Sequence, residues 1–266
     1  MLVLGDAHAD DPEKAAALQR AYAAADADVA LQVGDLQTYD PPVETYFVAG
    51  NNEDLDVVEA LRRGEDPPAD RDVGAVHLIA SAVVEVDGLR VAGLSGNFAP
   101  TQFEKAREDL VGDRRRHFVA EEVEAATALE DVDVFLAHEA PHGLLAEGGY
   151  DVGCKHVDAI LRAVEPRLCL VGHHHRATES RFGPTRVVSL APAWERYYTL
   201  DPASLWLASH ETPGAETTRF ADQQTTLSLV ADSLHPVVAG EYENVLLVVG
   251  ADNVGDFCEM TVKEQG

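Results

Sequence analysis

"LVLGDAH", Leu2 to His8, is a short apolar run, then a glycine, then two residues able to bind a cation, Asp6 and His8. The apolar run reads as a buried strand. Asp6 and His8 stand two positions apart at its end, on one side of an extended segment. The construction recurs along the chain. "LQVGDL" delivers Asp35, "FVAGNNED" (Phe47–Asp54) delivers Asn51 and Asn52, and "VFLAHEAPHG" (Val134–Gly143) delivers His138. "LCLVGHHH" (Leu168–His175) delivers His173, His174 and His175. Singly, each piece reads as a turn, a helix cap or a surface histidine. Five strand ends in series carrying carboxylate, imidazole or amide point to one shared edge, where open α/β architectures form ligand sites.

Between these runs lie helical patterns. One is Ala-rich and starts near Asp11-Pro12, proline being suited to a first turn. Others are "EDLDVVEALRR", a stretch from about His117 to Glu130, and one near His156–Val164. The middle reads as strand after strand, "VHLIA", "AVVEV" and "LRVAGL", with Asp87-Gly88 as a hairpin turn. The pattern predicts an α/β fold of two mixed sheets packed face to face and flanked by helices, a four-layer α-β-β-α sandwich. Residues 1–202 form this domain. Residues 203–266 are more polar around one strand candidate, Asn244–Val249, and read as a C-terminal extension of unassigned role.

Acids outnumber Lys+Arg by 47 to 20, a formal net charge of -27, and the acids are spread along the whole chain. Lysine occurs only at Lys14, Lys105, Lys155 and Lys263. Such a surface fits a halophilic protein working in concentrated salt, where self-repulsion is screened. An acidic protein of ordinary salt is the other reading. Cys154, Cys169 and Cys258 lack CxxC spacing, which argues against a disulfide framework or a thiolate metal site. No signal-peptide pattern follows Met1, and no apolar run approaches the roughly 18 residues of a membrane span. The expectation is a cytoplasmic protein with no membrane association. The sequence does not specify an oligomeric state.

In order, D-x-H at Asp6 and His8, GD at Asp35, GN at Asn51 with an acid at Glu53, the lone His138, and GHxH ending at His175 resemble the calcineurin-like metallophosphoesterases. The resemblance covers residues 1–201. It implies a dinuclear metal centre. Asp6, His8, Asp35 and His175 would hold one divalent ion, and Asp35, Asn51, His138 and His173 the other, with Asp35 bridging. His174 would point away, because side chains alternate along an extended segment. Mixed nitrogen and oxygen ligands suit Mn, Fe, Zn, Co or Ni better than Mg alone, and Mn is the expected metal. Two carboxylates against two divalent ions leave the set net positive and attractive to a phosphate ester, and the neutral Asn51 preserves that charge. The implied reaction is attack of a metal-bridging hydroxide on phosphorus, with Asp35, Asn52 and His138 as catalytic residues.

"VDGLRVAGLSGNF" (Val86–Phe98), "RRRHFVAEEVEAATAL" (Arg114–Leu129) and the His138 segment are similar in layout to RNA lariat debranching enzymes and their prokaryotic relatives. That similarity implies phosphodiester cleavage, with nucleic acids or nucleotides among the substrates. Arg114, Arg115, Arg116 and His117, the one dense basic cluster, read either as substrate-binding residues beside Asn52 or as a helix-start patch paired with acids. Asn52 departs from the commonest family pattern, which has a histidine acting as general acid there. An amide can donate a hydrogen bond to substrate but supplies no titrating proton. Two alternatives stay open: a phosphomonoesterase acting on a small phosphate compound, and a non-catalytic protein-binding scaffold.

Overall fold

The central strands are apolar on both faces because each face feeds a different core. The computed structural model describes residues 1–215. Its elements in chain order are β1 (Leu2–Leu4), α1 (Pro12–Ala25), β2 (Val29–Gln32), β3 (Glu44–Phe47), α2 (Leu55–Arg63), β4 (Val76–Leu78), β5 (Val83–Val86) and β6 (Leu89–Leu94). There follow α3 (Ala120–Thr127), β7 (Val134–Ala137), the small hairpin β8 (Ala146–Glu147) and β9 (Tyr150–Asp151), α4 (Lys155–Val164) and β10 (Leu168–Val171). The last are β11 (Thr178–Phe182), β12 (Thr185–Ser189), β13 (Arg196–Asp201) and β14 (Trp206–Glu211).

One sheet runs β14-β13-β1-β2-β3-β4, with β1 to β4 parallel and an antiparallel edge. The other runs β11-β12-β10-β7-β6-β5, with its four central strands parallel. Val3 and Leu31 of the first sheet share a core with Val134, Leu136, Leu168 and Leu170 of the second. Their alternate neighbours point outward. Leu2, Leu4 and Ala30 pack with Leu18, Tyr22 and Val57 of α1 and α2. Phe135, Ala137, Cys169 and Val171 pack with Val123, Ile160 and Leu161 of α3 and α4. The four layers expected from the sequence are those found. Leu136 is fully buried between the sheets, so Leu136→Ala would cost about 2–5 kcal/mol through lost burial and the cavity left behind.

Local signals set the element ends. The Asp11 carboxylate accepts from the N–H groups of Glu13 and Lys14 to start α1, and Asp54 accepts from those of Asp56 and Val57 to start α2. Asp87 and Gly88 have φ of 52° and 79°, as a two-residue hairpin requires, and Val86 pairs with Leu89.

The expected domain boundary at 202 falls inside a hairpin: β13 and β14 pair from Arg196↔Glu211 to Asp201↔Trp206. The β14 sequence looked polar because an edge strand buries one face only, here through Leu207. Asn244–Val249 lies outside the described residues. The basic cluster does not begin a helix: Gly112–Arg116 is a 3₁₀ turn, and α3 starts at Ala120. No helix among the described residues is long and apolar enough to cross a membrane.

Candidate metal centre

Asp6, Asp35 and Asn51 follow β1, β2 and β3, and His138 and His173 follow β7 and β10, each just beyond the carboxyl end of a parallel strand. Face-to-face packing brings these ends together. One ligand atom each from Asp6, His8 and His175 lies within 4.8 Å of the others, and so does one each from Asp6, Asp35 and His138. Asn51 Oδ1 is 3.0 Å and His173 Nδ1 3.1 Å from His138 Nε2. Asp35 Oδ2 stands 3.5 Å from His8 Nε2 and 3.7 Å from His138 Nε2, so one oxygen faces both halves of the set.

The polypeptide holds these atoms in fixed orientations. His138 Nδ1 is 2.9 Å from the Val33 carbonyl, which can only accept, so the proton sits on Nδ1 and the Nε2 lone pair faces the site. The His8 Nδ1 lies 2.9 Å from Gln37 Oε1 and leaves its Nε2 toward Asp35 in the same way. The His173 N–H donates to both Asp6 oxygens at 3.0 Å. His8, Asp35, His173 and His175 all have positive φ, a costly backbone state that clusters at functional sites. Gly34 and Gly50 are required by close approach. A Cβ at Gly34 would come 2.2 Å from His138 Nδ1, and one at Gly50 would come 2.2 Å from Asp35 Oδ1.

The donor chemistry fits a cation. With its proton committed to Val33, His138 Nε2 turns a lone pair toward the Asn51 carbonyl oxygen, an acceptor, at 3.0 Å. A divalent ion within reach of both atoms would satisfy the two together. Burial raises the Asp6 pKa, His138 and His175 offset part of the rise, and Asp35 adds to it. Burial also pushes Asp35 upward, but His138, two Asn52 hydrogen bonds and His8 outweigh it and hold the carboxyl below its ordinary value. Burial, with His138 and His174 nearby, lowers His173 to about 4, which leaves it neutral and able to ligate.

Asn52 donates its backbone N–H to Asp35 Oδ1 at 2.7 Å and its Nδ2 to Asp35 Oδ2 at 2.8 Å. His174 turns to Glu147, 3.2 Å away on β8. Arg115 pairs with Asp56 at 2.8 Å and Arg116 with Asp113 at 3.6 Å, the contacts expected of a patch paired with acids. Arg114 is exposed. His117 leans on the Asn97 carbonyl at 3.3 Å, and burial holds its pKa below the ordinary histidine value.

Two further side chains, partly buried Glu53 and fully buried Gln32, organise the loops of the site. The Glu53 carboxylate accepts from the N–H of Leu36, Gln37 and Gly50 and from the Tyr39 hydroxyl, tying the Asp35 loop to the Asn51 loop. Gln32 clasps Gly34, accepting from its N–H at 2.8 Å and donating to its carbonyl. Glu53 occupied the acid position of the GN motif, and Gln32 was a polar residue inside an apolar strand. Both were visible signals.

The calcineurin-like phosphoesterase model matches residues 1–177, and the chain belongs to that family. Among curated relatives, the lariat debranching enzyme of Entamoeba histolytica is 24% identical over 191 residues, covering 60% of this chain and 51% of that protein. The lariat debranching enzyme of Schizosaccharomyces pombe is 25% identical over 158 residues, covering 50% of this chain and 33% of that one. The chain thus spans about half or less of the curated relatives it matches. The crystal structure of TT1561 of Thermus thermophilus superposes with a TM-score of 0.54 at 17% identity, over 79% of this chain and 98% of the other, a likeness of fold.

Proposed function

We infer that the chain is a dinuclear metal-dependent phosphodiesterase with nucleic acid or nucleotides as substrates. The observation that carries it is the convergence of ligand atoms, with His138 Nε2 3.0 Å from Asn51 Oδ1 and 3.1 Å from His173 Nδ1, beside the buried carboxylates of Asp6 and Asp35. Asp6, His8, Asp35 and His175 would hold one divalent ion, Mn being preferred, and Asp35, Asn51, His138 and His173 the other. Bound there, the ions would supply a water activated at neutral pH and charge compensation for the phosphoryl oxygens. The diester preference is supported by the family and by the debranching enzymes among its relatives.

The protein's own part is preorganisation. Val33 and Gln37 fix which nitrogen of His138 and His8 faces the site. Asn52 acts as a positioning residue that aims both Asp35 oxygens. With its amide so used, Asn52 gives a departing oxygen no titrating proton. This supports esters whose leaving group departs with little protonation. The test is hydrolysis of bis(p-nitrophenyl) phosphate against p-nitrophenyl phosphate with Mn in molar KCl. Higher kcat/KM on the diester is expected. Preference for the monoester would replace the reading with a phosphomonoesterase, and no turnover of either with both ions bound would favour a scaffold.

A further inference from the structure

The loop between β12 and β13 carries Trp194, which the metal centre leaves without a role. Its ring centroid lies 5.7 Å from that of His8 and 5.2 Å from that of His175, the latter edge-on at 89°. Trp194 therefore walls the Asp6–His8–His175 side of the centre. Over the indole stands the ammonium of Lys14, 4.3 Å from the ring centroid. That distance gives a cation–π attraction. Lys14 lies in the first turn of α1, where its backbone N–H is bonded to the Asp11 cap.

Two features separate Lys14 from an ordinary surface lysine. Acids exceed basic residues 47 to 20, yet among the described residues the Lys14 ammonium meets an indole and no carboxylate at ion-pair distance. An aromatic face holds a cation in place without neutralising it, and the N–H donors turned away from the ring stay free for an anion. The indole that holds Lys14 also touches two histidines of the centre, so the ammonium is fixed relative to the place where a phosphate would react.

We propose that Lys14, positioned by Trp194, binds a second phosphate next to the scissile one, so that the site selects a nucleic-acid strand over an isolated phosphate ester. The inference rests on the phosphoesterase reading for the identity of the scissile group. The anion-binding contact itself needs no turnover. Local geometry matters because at molar salt the Debye length is about 3 Å, too short for the distant acids to repel a strand already seated at the centre.

The test measures binding of a fluorescently labelled short oligothymidylate to the Mn-loaded protein by anisotropy across a series of KCl concentrations. It is paired with the ratio of kcat/KM on the oligonucleotide to that on bis(p-nitrophenyl) phosphate. Lys14→Gln should weaken binding about tenfold, as expected for a lost charge-assisted contact. It should also flatten the slope of log K against log salt by about 0.7, the value for one phosphate contact on a single strand. Lys14→Arg should restore the slope, Trp194→Ala should weaken binding in the same direction, and Lys105→Gln should change neither quantity. A slope and a kcat/KM ratio unchanged in Lys14→Gln would overturn the proposal. If the wild type cleaves neither substrate, the phosphodiesterase reading fails, and the binding slope alone still decides the role of Lys14.

Discussion

Asn52 grips Asp35 at both ends, its backbone N–H on Oδ1 at 2.7 Å and its side-chain Nδ2 on Oδ2 at 2.8 Å. The oxygen facing both halves of the site, Oδ2, is the one aimed by the side chain. Asn52→Ala deletes that donor and leaves the backbone contact. Loss of such an outer contact costs about 10–100-fold in metal affinity or activity. Metal titration with parallel kcat/KM measurements checks this. Asn52→Ala at wild-type affinity and rate would show that the backbone N–H alone aims Asp35.

The three adjacent histidines should separate. The His173 ring stands 3.1 Å from His138 Nε2 and the His175 ring 3.8 Å from Asp6 Oδ1, whereas His174 faces Glu147. His173→Ala and His175→Ala should each lower metal content and reduce activity at least a hundredfold. His174→Ala should stay within about threefold of wild type, since a partly exposed polar contact contributes little. If His174→Ala is the variant that empties the centre, the register assigned to Gly172–His175 is wrong.

Glu53 should matter to stability as well as to the site. Removing its carboxylate strands the Leu36 and Gln37 N–H groups and the Tyr39 hydroxyl in a buried loop. Glu53→Ala is expected to lose about 2–4 kcal/mol, given the cost of each buried donor left unpaired. A fall in Tm for the metal-free protein reads this directly. An unchanged Tm would mean that the loops are held without Glu53.

Salt should stabilise the chain. A net charge of -27 repels itself in dilute buffer, and screening relieves that cost. The ion pairs Arg62–Glu122 and Arg107–Glu59 are largely buried and so little screened. Tm should therefore rise between 0.1 and about 2 M KCl. A Tm that falls over that range would contradict the concentrated-salt reading.

Much of the fold was legible because its central strands are buried on both faces. Phe135 and Leu136 point to different cores, so β7 reads as an unbroken apolar run and cannot be mistaken for a surface segment. The edge strands β11 and β14 bury one face or less and resemble loops. The candidate ligands stand out in the sequence because each follows such a run. The anchors of those residues were harder to read. The Val33 carbonyl that fixes His138 is 105 positions away in sequence, and backbone groups leave no mark on residue type. Lys14 and Trp194 meet only because α1 and the β12–β13 loop converge on the same edge. For Arg115 and Arg116 the sequence offers both substrate binding and ion pairing, because the positions of Asp56 and Asp113 beside them follow only from the fold.

The central claim is that one Asp35 oxygen serves two cations, and metal analysis of the intact protein tests it most directly. The wild type, equilibrated with excess Mn in molar KCl and freed of unbound ion, should hold two ions per chain. Asp35→Ala should remain folded by circular dichroism, because Asp35 lies in the loop after β2 and belongs to none of the three apolar cores, and should hold at most one ion with hydrolysis of bis(p-nitrophenyl) phosphate abolished. Two tightly held ions and near-normal hydrolysis in Asp35→Ala would contradict the account.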